Sequence, residues 1–109
     1  MAETLVNVTD DNFQAEVIES ETATIVDFWA PWCGPCRLVG PVLEEIAEER
    51  DDVRVVKLNV DENQQTAASF QVLSIPTIIL FRNGQPDKKI IGALPKKKII
   101  EQFELEPAA

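Results

Sequence analysis

The sequence predicts an α/β domain built on a mixed sheet, and three observations carry that expectation. Apolar runs rich in β-branched and aromatic residues alternate with stretches whose apolar positions recur every three or four residues. An Asn83-Gly84 pair late in the chain signals a tight hairpin, which adds antiparallel strands to a sheet begun by parallel crossovers. The chain of 109 residues has room for one core, and no repeat, low-complexity tract or Gly/Ser linker divides it, so residues 1–109 are expected to form a single domain.

Each element follows from local pattern. A short strand near Leu5 to Val8 precedes Thr9-Asp10-Asp11, which suits the start of a helix carrying Phe13, Val17 and Ile18 on one stripe. Residues 23–29, Ala-Thr-Ile-Val-Asp-Phe-Trp, form a nearly continuous apolar run, as expected of a central strand covered on both faces. From Gly34 to Arg50, Leu38, Val39, Val42, Leu43, Ile46 and Ala47 make a helical stripe, with Glu44, Glu45, Glu48 and Glu49 opposite. Pro41 falls inside this helix and predicts a kink that sets its first turn apart. A third strand is expected over Val53 to Val60, then a short helix opened by Asp61 to Gln65 and ending near Phe70. Pro76 precedes a strand over Thr77 to Phe81, and the hairpin returns the chain into Lys88 to Gly92. Pro95 suits the first turn of a last helix that turns Ile99, Ile100 and Phe103 inward. The order is β-α-β-α-β-α-β-β-α, a mixed sheet with helices on both faces.

Composition narrows the function. Ten Lys and Arg against nineteen Asp and Glu give a formal net charge of −9, which repels nucleic-acid phosphates and anionic membrane surfaces. No stretch approaches the roughly 18 apolar residues of a membrane span. Met1-Ala2-Glu3-Thr4 does not read as a secretion signal, so a cytoplasmic location is the default expectation. Histidine is absent, which excludes Ser-His-Asp and Cys-His catalytic arrangements. The two cysteines alone leave a zinc or iron–sulfur site two soft ligands short within one chain, and no metal is expected.

Those cysteines stand as Cys33-Gly34-Pro35-Cys36. As a structural staple the pair is badly placed, because closing so short a loop removes only about 2 kcal/mol of unfolded-chain entropy. Half of a metal site shared by two chains is the other inert reading, without a further ligand cluster to support it. A redox role explains more of the surroundings. At a helix start the Cys33 sulfur meets unpaired N–H groups and the positive end of the helix dipole, which favours thiolate and makes Cys33 the expected nucleophile. Cys36, three residues on, faces the same side and is expected to lie deeper, as the resolving thiol. The uncharged Gly34-Pro35 adds no stabilisation of the reduced form, so the dithiol is expected to act as a reductant.

The run Val26-Asp27-Phe28-Trp29-Ala30-Pro31-Trp32-Cys33-Gly34-Pro35-Cys36 resembles the signature of the thioredoxin family. The likeness continues in one register through Lys57-Leu58-Asn59-Val60-Asp61, Ser74-Ile75-Pro76-Thr77, Phe81-Arg82-Asn83-Gly84 and Gly92-Ala93-Leu94. It implies a thioredoxin fold, a five-stranded mixed sheet flanked by four helices, and a general protein disulfide reductase. Cys33 would attack a target disulfide and Cys36 would release the mixed disulfide. The chain would bind no cofactor, and a thioredoxin reductase, a flavoprotein carrying FAD and drawing on NADPH, would restore the dithiol. The expected partners are that reductase and disulfide-containing proteins, with the chain itself a monomer. The rival from another class is a docking subunit of the same fold whose dithiol is idle, and Cys33, Cys36, Asp27 and Pro76 together argue against it.

Asp27, a carboxylate in an apolar strand, is expected to have its pKa raised by burial and to exchange a proton with Cys36; the alternative is an Asp facing solvent at a strand edge. The family resemblance also implies a buried carboxylate at this position. Lys57 shares a strand side with Val53 and Val55, where its tip either modulates Asp27 or extends into water. By resemblance the Ile75–Pro76 bond is cis and lies against the cysteine pair. Trp32, Gly34, Pro35, Ile75, Pro76, Gly92 and Ala93 would form an apolar rim for docking targets, though each also fits ordinary packing. Trp29 is expected to support the motif from beneath. Arg37 either adds a positive field near the thiols or faces water. Lys88, Lys89, Lys96, Lys97 and Lys98 form either a solvated face or a partner-selecting patch, the solvated face being the plainer reading.

Overall fold

The computed structural model describes residues 5–105, so the Met1 to Thr4 segment lies outside the described residues. Five strands form one sheet in the order β1-β3-β2-β4-β5: β1 (Val6–Asn7), β2 (Ala23–Trp29), β3 (Val53–Asn59), β4 (Thr77–Arg82) and β5 (Gln85–Ile91). β3 runs parallel to both β1 and β2, while β2–β4 and β4–β5 are antiparallel. The apolar run at 23–29 is therefore the middle strand, with residues 24–28 all buried.

Side chains alternate along β2, and each face of the sheet receives its own cover. Ile25 points toward α1 (Gly34–Glu49) and α3 (Lys96–Gln102), where Val39, Leu43, Ile46, Ile78, Leu80, Ile99 and Phe103 complete a cluster. Val26 and Phe28 point the other way, into Val8, Phe13, Val17, Val56, Leu58, Ile79 and Phe81. On that face the rings of Phe13, Phe70 and Phe81 meet with centroids 5.1 to 5.6 Å apart, edge-on or tilted.

Several elements differ in detail from expectation. The first helix is a single π-helical turn, Gln14–Ile18, in which the Glu19 amide reaches back five residues to the Gln14 carbonyl at 2.9 Å. Its entry is fixed by a reciprocal pair: the Thr9 amide donates to Asn12 Oδ1 and the Asn12 amide to Thr9 Oγ1. Asp10 does not cap this turn. Its carboxylate instead accepts from the Thr66 amide and hydroxyl, at the start of α2 (Gln64–Ser69). Leu38 belongs to the expected apolar stripe of α1 but is 70 % exposed. The buried positions are Cys36, Val39, Leu43 and Ile46, and residue 38 lies about 100° around the helix from residue 39, beyond that narrow stripe.

α1 is continuous through Pro41. Because proline has no amide, the Arg37 carbonyl receives no bond from four residues on. β5 begins at Gln85 rather than Lys88, and Pro86 sits opposite Phe81 beside a register shift at Leu80/Phe81, where a residue without an amide fits. The hairpin turn uses Asn83 at φ +55° and Gly84 at φ +78°. Gly84 also lies against the π-helical turn: a Cβ there would stand 2.5 Å from the Ile18 carbonyl oxygen. Pro95 is the residue just before α3, one position ahead of the expected first turn; Ile99 and Phe103 are buried and Ile100 half-buried.

Candidate active site

The end of β2 delivers the chain into α1 through Pro31 and Trp32, and Cys33 is the residue that starts the helix. Its backbone is extended, at φ −90° and ψ 112°, and its Sγ accepts the Cys36 amide at 3.2 Å. A sulfur stands where a serine or aspartate oxygen usually caps a helix. Pro35 occupies the first helical turn, where its missing amide leaves no gap. Cys33 and Cys36 are joined as a disulfide with Cα atoms 5.3 Å apart. Both cysteine residues are buried alike, Cys33 at 3 % exposed and Cys36 at 5 %, so residue exposure does not set Cys36 deeper than Cys33. In the oxidised pair the bond holds both against Ala30, Trp29, Val60 and Ile75.

Asp27 lies on the middle strand and is only 2 % exposed, so the solvent-facing alternative does not apply. Desolvation pushes its carboxyl up to about 7, against the opposing pull of the Lys57 charge. Asp27 and Lys57 are direct register partners across β2 and β3. Lys57 does not extend into water: it is 9 % exposed, with Nζ 4.6 Å from the centre of the Trp29 ring. A cavity of about 340 Å³ connects these groups, lined by Asp27, Trp29, Lys57, Cys36 and the α1 residues Arg37, Gly40, Pro41 and Glu44 among others. Asp27 Oδ1 and Trp29 Nε1 are buried in the structure without a hydrogen-bond partner in the protein. A cavity of that size, with the Asp27 carboxyl and the Lys57 side chain in its wall, has room for water.

The rim is assembled from separate segments. Trp32 is 69 % exposed, and its Nε1 donates to Asp61 Oδ2 at 3.0 Å. A groove of about 320 Å³ runs beside it, lined by Trp32, Val60, Val72, Leu73, Ser74 and Ile75. The Ile75–Pro76 peptide is cis. Pro76 itself is buried, and its carbonyl accepts the Gly92 amide at 2.8 Å. Gly92 holds φ +102°, a conformation that suits glycine, and Ala93 packs partly into the core. Gly34 and Pro35 are exposed at the start of α1. The groove walls Val60, Val72, Leu73 and Ser74, and the Trp32 partner Asp61, were not expected from sequence. Asp61 is 29 positions from Trp32, and no local pattern announces such a pairing.

Arg37 donates to the Pro31 carbonyl at 3.1 Å across the start of α1. Three of the five late lysines stand beside acids: Lys96 bonds Glu45 and Glu49, Lys88 lies by Glu104, and Lys98 by Glu101. This fits the solvated-face reading better than a bare basic patch. Among the described residues, no group of three or more His, Cys, Asp or Glu is placed to hold a metal ion, and no helix is long and apolar enough to cross a membrane.

A cysteine pair at a helix start, sharing a cavity through Cys36 with a buried carboxyl whose pKa is raised toward neutrality, defines a dithiol–disulfide oxidoreductase on an α/β scaffold. Comparison with known proteins gives the same class. Residues 4–104 match the Thioredoxin family model. The thioredoxin of Mycobacterium tuberculosis is 54 % identical over 99 residues, covering 90 % of this chain and 85 % of that protein. The thioredoxin of Streptomyces clavuligerus is 50 % identical over 100 residues, covering 92 % and 94 %. A bifunctional thioredoxin reductase/thioredoxin of Mycobacterium leprae is 53 % identical over 99 residues, which are 90 % of this chain and 22 % of that one. The chain belongs to the thioredoxin family, and it reduces protein disulfides by dithiol–disulfide exchange.

Proposed function

We propose that residues 1–109 act as one domain, a general reductant of protein disulfides, with the following division of labour. The Cys33 thiolate attacks one sulfur of a target disulfide; a new S–S bond forms, and the other target sulfur leaves as thiolate and takes a proton. Cys36 then gives its proton to the Asp27 carboxylate and attacks Cys33 Sγ. The Cys33–Cys36 bond forms, the mixed disulfide breaks, and the second target thiolate departs. Two electrons pass from the dithiol to the target, leaving the oxidised pair. Lys57 modulates the Asp27 carboxyl through its charge. Trp32, Gly34, Pro35, Ile75, Pro76, Gly92 and Ala93 form the docking rim, with the groove beside Trp32 receiving the substrate chain.

The observation that carries this reading is the position of Cys33 as the residue opening α1, with its sulfur already accepting a helix amide. The same amide would stabilise negative charge on that sulfur once the pair is reduced. Recharging falls to a thioredoxin reductase, a flavoprotein using FAD and NADPH, and the Mycobacterium leprae relative that carries both names in one chain supports that partnership. We place the protein in the cytoplasm as a monomer. Reduction of a disulfide-bonded test protein supplies the test. Cys33→Ser is expected to fall to the uncatalysed rate, while Cys36→Ser accumulates a covalent adduct through Cys33. A wild-type rate in Cys33→Ser would overturn the assignment.

A further inference from the structure

Trp32 is a large, mostly exposed ring on the docking rim, held by one side-chain bond to Asp61. That bond is the end of a longer connection. The Asp61 amide donates to Asn59 Oδ1 at 2.9 Å, and the Gln64 side chain donates to the Asp61 carbonyl at 3.3 Å. The Asn59 carbonyl accepts Asn63 Nδ2 at 3.0 Å, and Asn63 Oδ1 accepts the Asp10 amide at 2.8 Å. Asp10 closes the array: its Oδ1 accepts the Thr66 amide at 2.9 Å and the Thr66 hydroxyl at 2.6 Å, and its Oδ2 accepts the Gln65 amide at 3.4 Å. Asn63 and Thr66 are buried.

This arrangement has an unusual division of roles. Asn63 precedes α2 but makes no side-chain cap to it; its amide group is spent on Asp10 and Asn59 instead. The cap of α2 comes from Asp10, more than 50 positions away, in the turn that follows β1. The loop between β3 and α2, which carries Asp61, is therefore gripped by side chains at both ends. We propose that Asp10 and Asn63 are positioning residues for substrate docking, which act through the Asn59–Asp61 loop to fix the Trp32 ring on the rim. The inference rests on the docking role proposed above for Trp32. It separates binding from chemistry, since none of these bonds touches Cys33, Cys36 or Asp27. The Thr66 hydroxyl bond holds the Asp10 carboxyl below its ordinary pKa despite opposing desolvation, so the cap stays charged at neutral pH.

The test is a KM-against-kcat comparison for a disulfide-bonded test protein, with the Cys33 alkylation rate of the reduced protein as the chemical control. Asp10→Ala and Asn63→Ala are expected to raise KM by about 3- to 10-fold, the scale of one or two lost hydrogen bonds, with kcat and alkylation unchanged. Hydrogen exchange of the Trp32 indole N–H, read by NMR, should quicken in both variants, and Asp10→Asn, which keeps an acceptor, should lie between Asp10→Ala and wild type. In a Trp32→Phe background, which keeps a ring but not its donor, the Asp10→Ala effect on KM should vanish. An unchanged KM, an equal fall in kcat and alkylation, or a full Asp10→Ala effect persisting with Trp32→Phe would each overturn the inference. Trp32→Ala separates the two levels: an unchanged KM there rejects the docking role itself, whereas a raised KM with silent Asp10 and Asn63 variants rejects only the positioning role.

Discussion

The two faces of the sheet are built to different rules. The face covered by the π-helical turn and α2 is closed with aromatic rings: Phe13, Phe70 and Phe81 meet one another, in a cluster with Phe28, Val26, Val56 and Ile79. The face covered by α1 is equally tight around Leu43, Ile46, Ile99 and Phe103 but opens toward the disulfide into a cavity of about 340 Å³. At that end β2 presents Asp27 where alternation after Ile25 would otherwise place an apolar residue, and β3 presents Lys57 beside it. One strand thus serves an apolar core through Val26 and Phe28 and, through Asp27 and Trp29, the wall of the cavity beside Cys36. The lesson is that chemistry in a small domain requires a local departure from close packing, and the opposite face provides the stability to tolerate it.

That contrast predicts opposite responses to substitution. Phe28→Ala on the closed face is expected to cost about 3–5 kcal/mol at every pH where the protein folds, measured by urea unfolding, because the cavity has no polar lining to fill it. Asp27→Asn on the open face is expected to stabilise, and only above acid pH. Below the ordinary carboxyl value of 3.8 the side chain is neutral in folded and unfolded chains alike, so wild type and variant differ little. Between there and about 7 the unfolded chain releases the proton and the folded chain keeps it, so wild-type stability falls as pH rises. Above about 7 the loss is complete, on the order of 4 kcal/mol, and Asp27→Asn escapes it. The same variant should lose any inflection near pH 7 in the rate of mixed-disulfide release. A stability gain independent of pH would break the comparison.

A smaller effect sharpens it. Lys57 lowers the Asp27 carboxyl against the desolvation that raises it, so Lys57→Met is expected to move Asp27 titration upward from about 7, followed by NMR of the carboxyl carbon. A downward movement would mean that Lys57 acts on this carboxyl through packing rather than charge.

The legible parts of this molecule were those encoded by neighbours in sequence. The apolar run at 23–29 identified the middle strand, Asn83-Gly84 the hairpin, and the Cys33 to Cys36 spacing the redox pair. Asp27 stood out because a lone carboxylate interrupts a buried run. What local pattern could not show was assembled from distant segments: the Asp10 cap of α2, the Trp32–Asp61 bond and the groove walls at Val72 and Leu73. Asp10 is instructive, since Thr9-Asp10-Asp11 reads as a local helix start while its carboxylate serves a helix on another part of the chain. The π-helical turn at Gln14–Ile18 was hidden for a related reason, because its apolar spacing also fits an α-helix.

The contact between Gly84 and Ile18 bears on how the chain can be engineered. The hairpin end looks like a natural place to graft a peptide or to open new termini, being short and distant in sequence from the cysteines. Its glycine instead rests against the Ile18 carbonyl oxygen, 2.5 Å from where any side chain would begin, and so acts as a spacer between two parts of the shell. Insertions there would lift the hairpin off Ile18, and surface display is better sought at sites whose backbone supports nothing behind it.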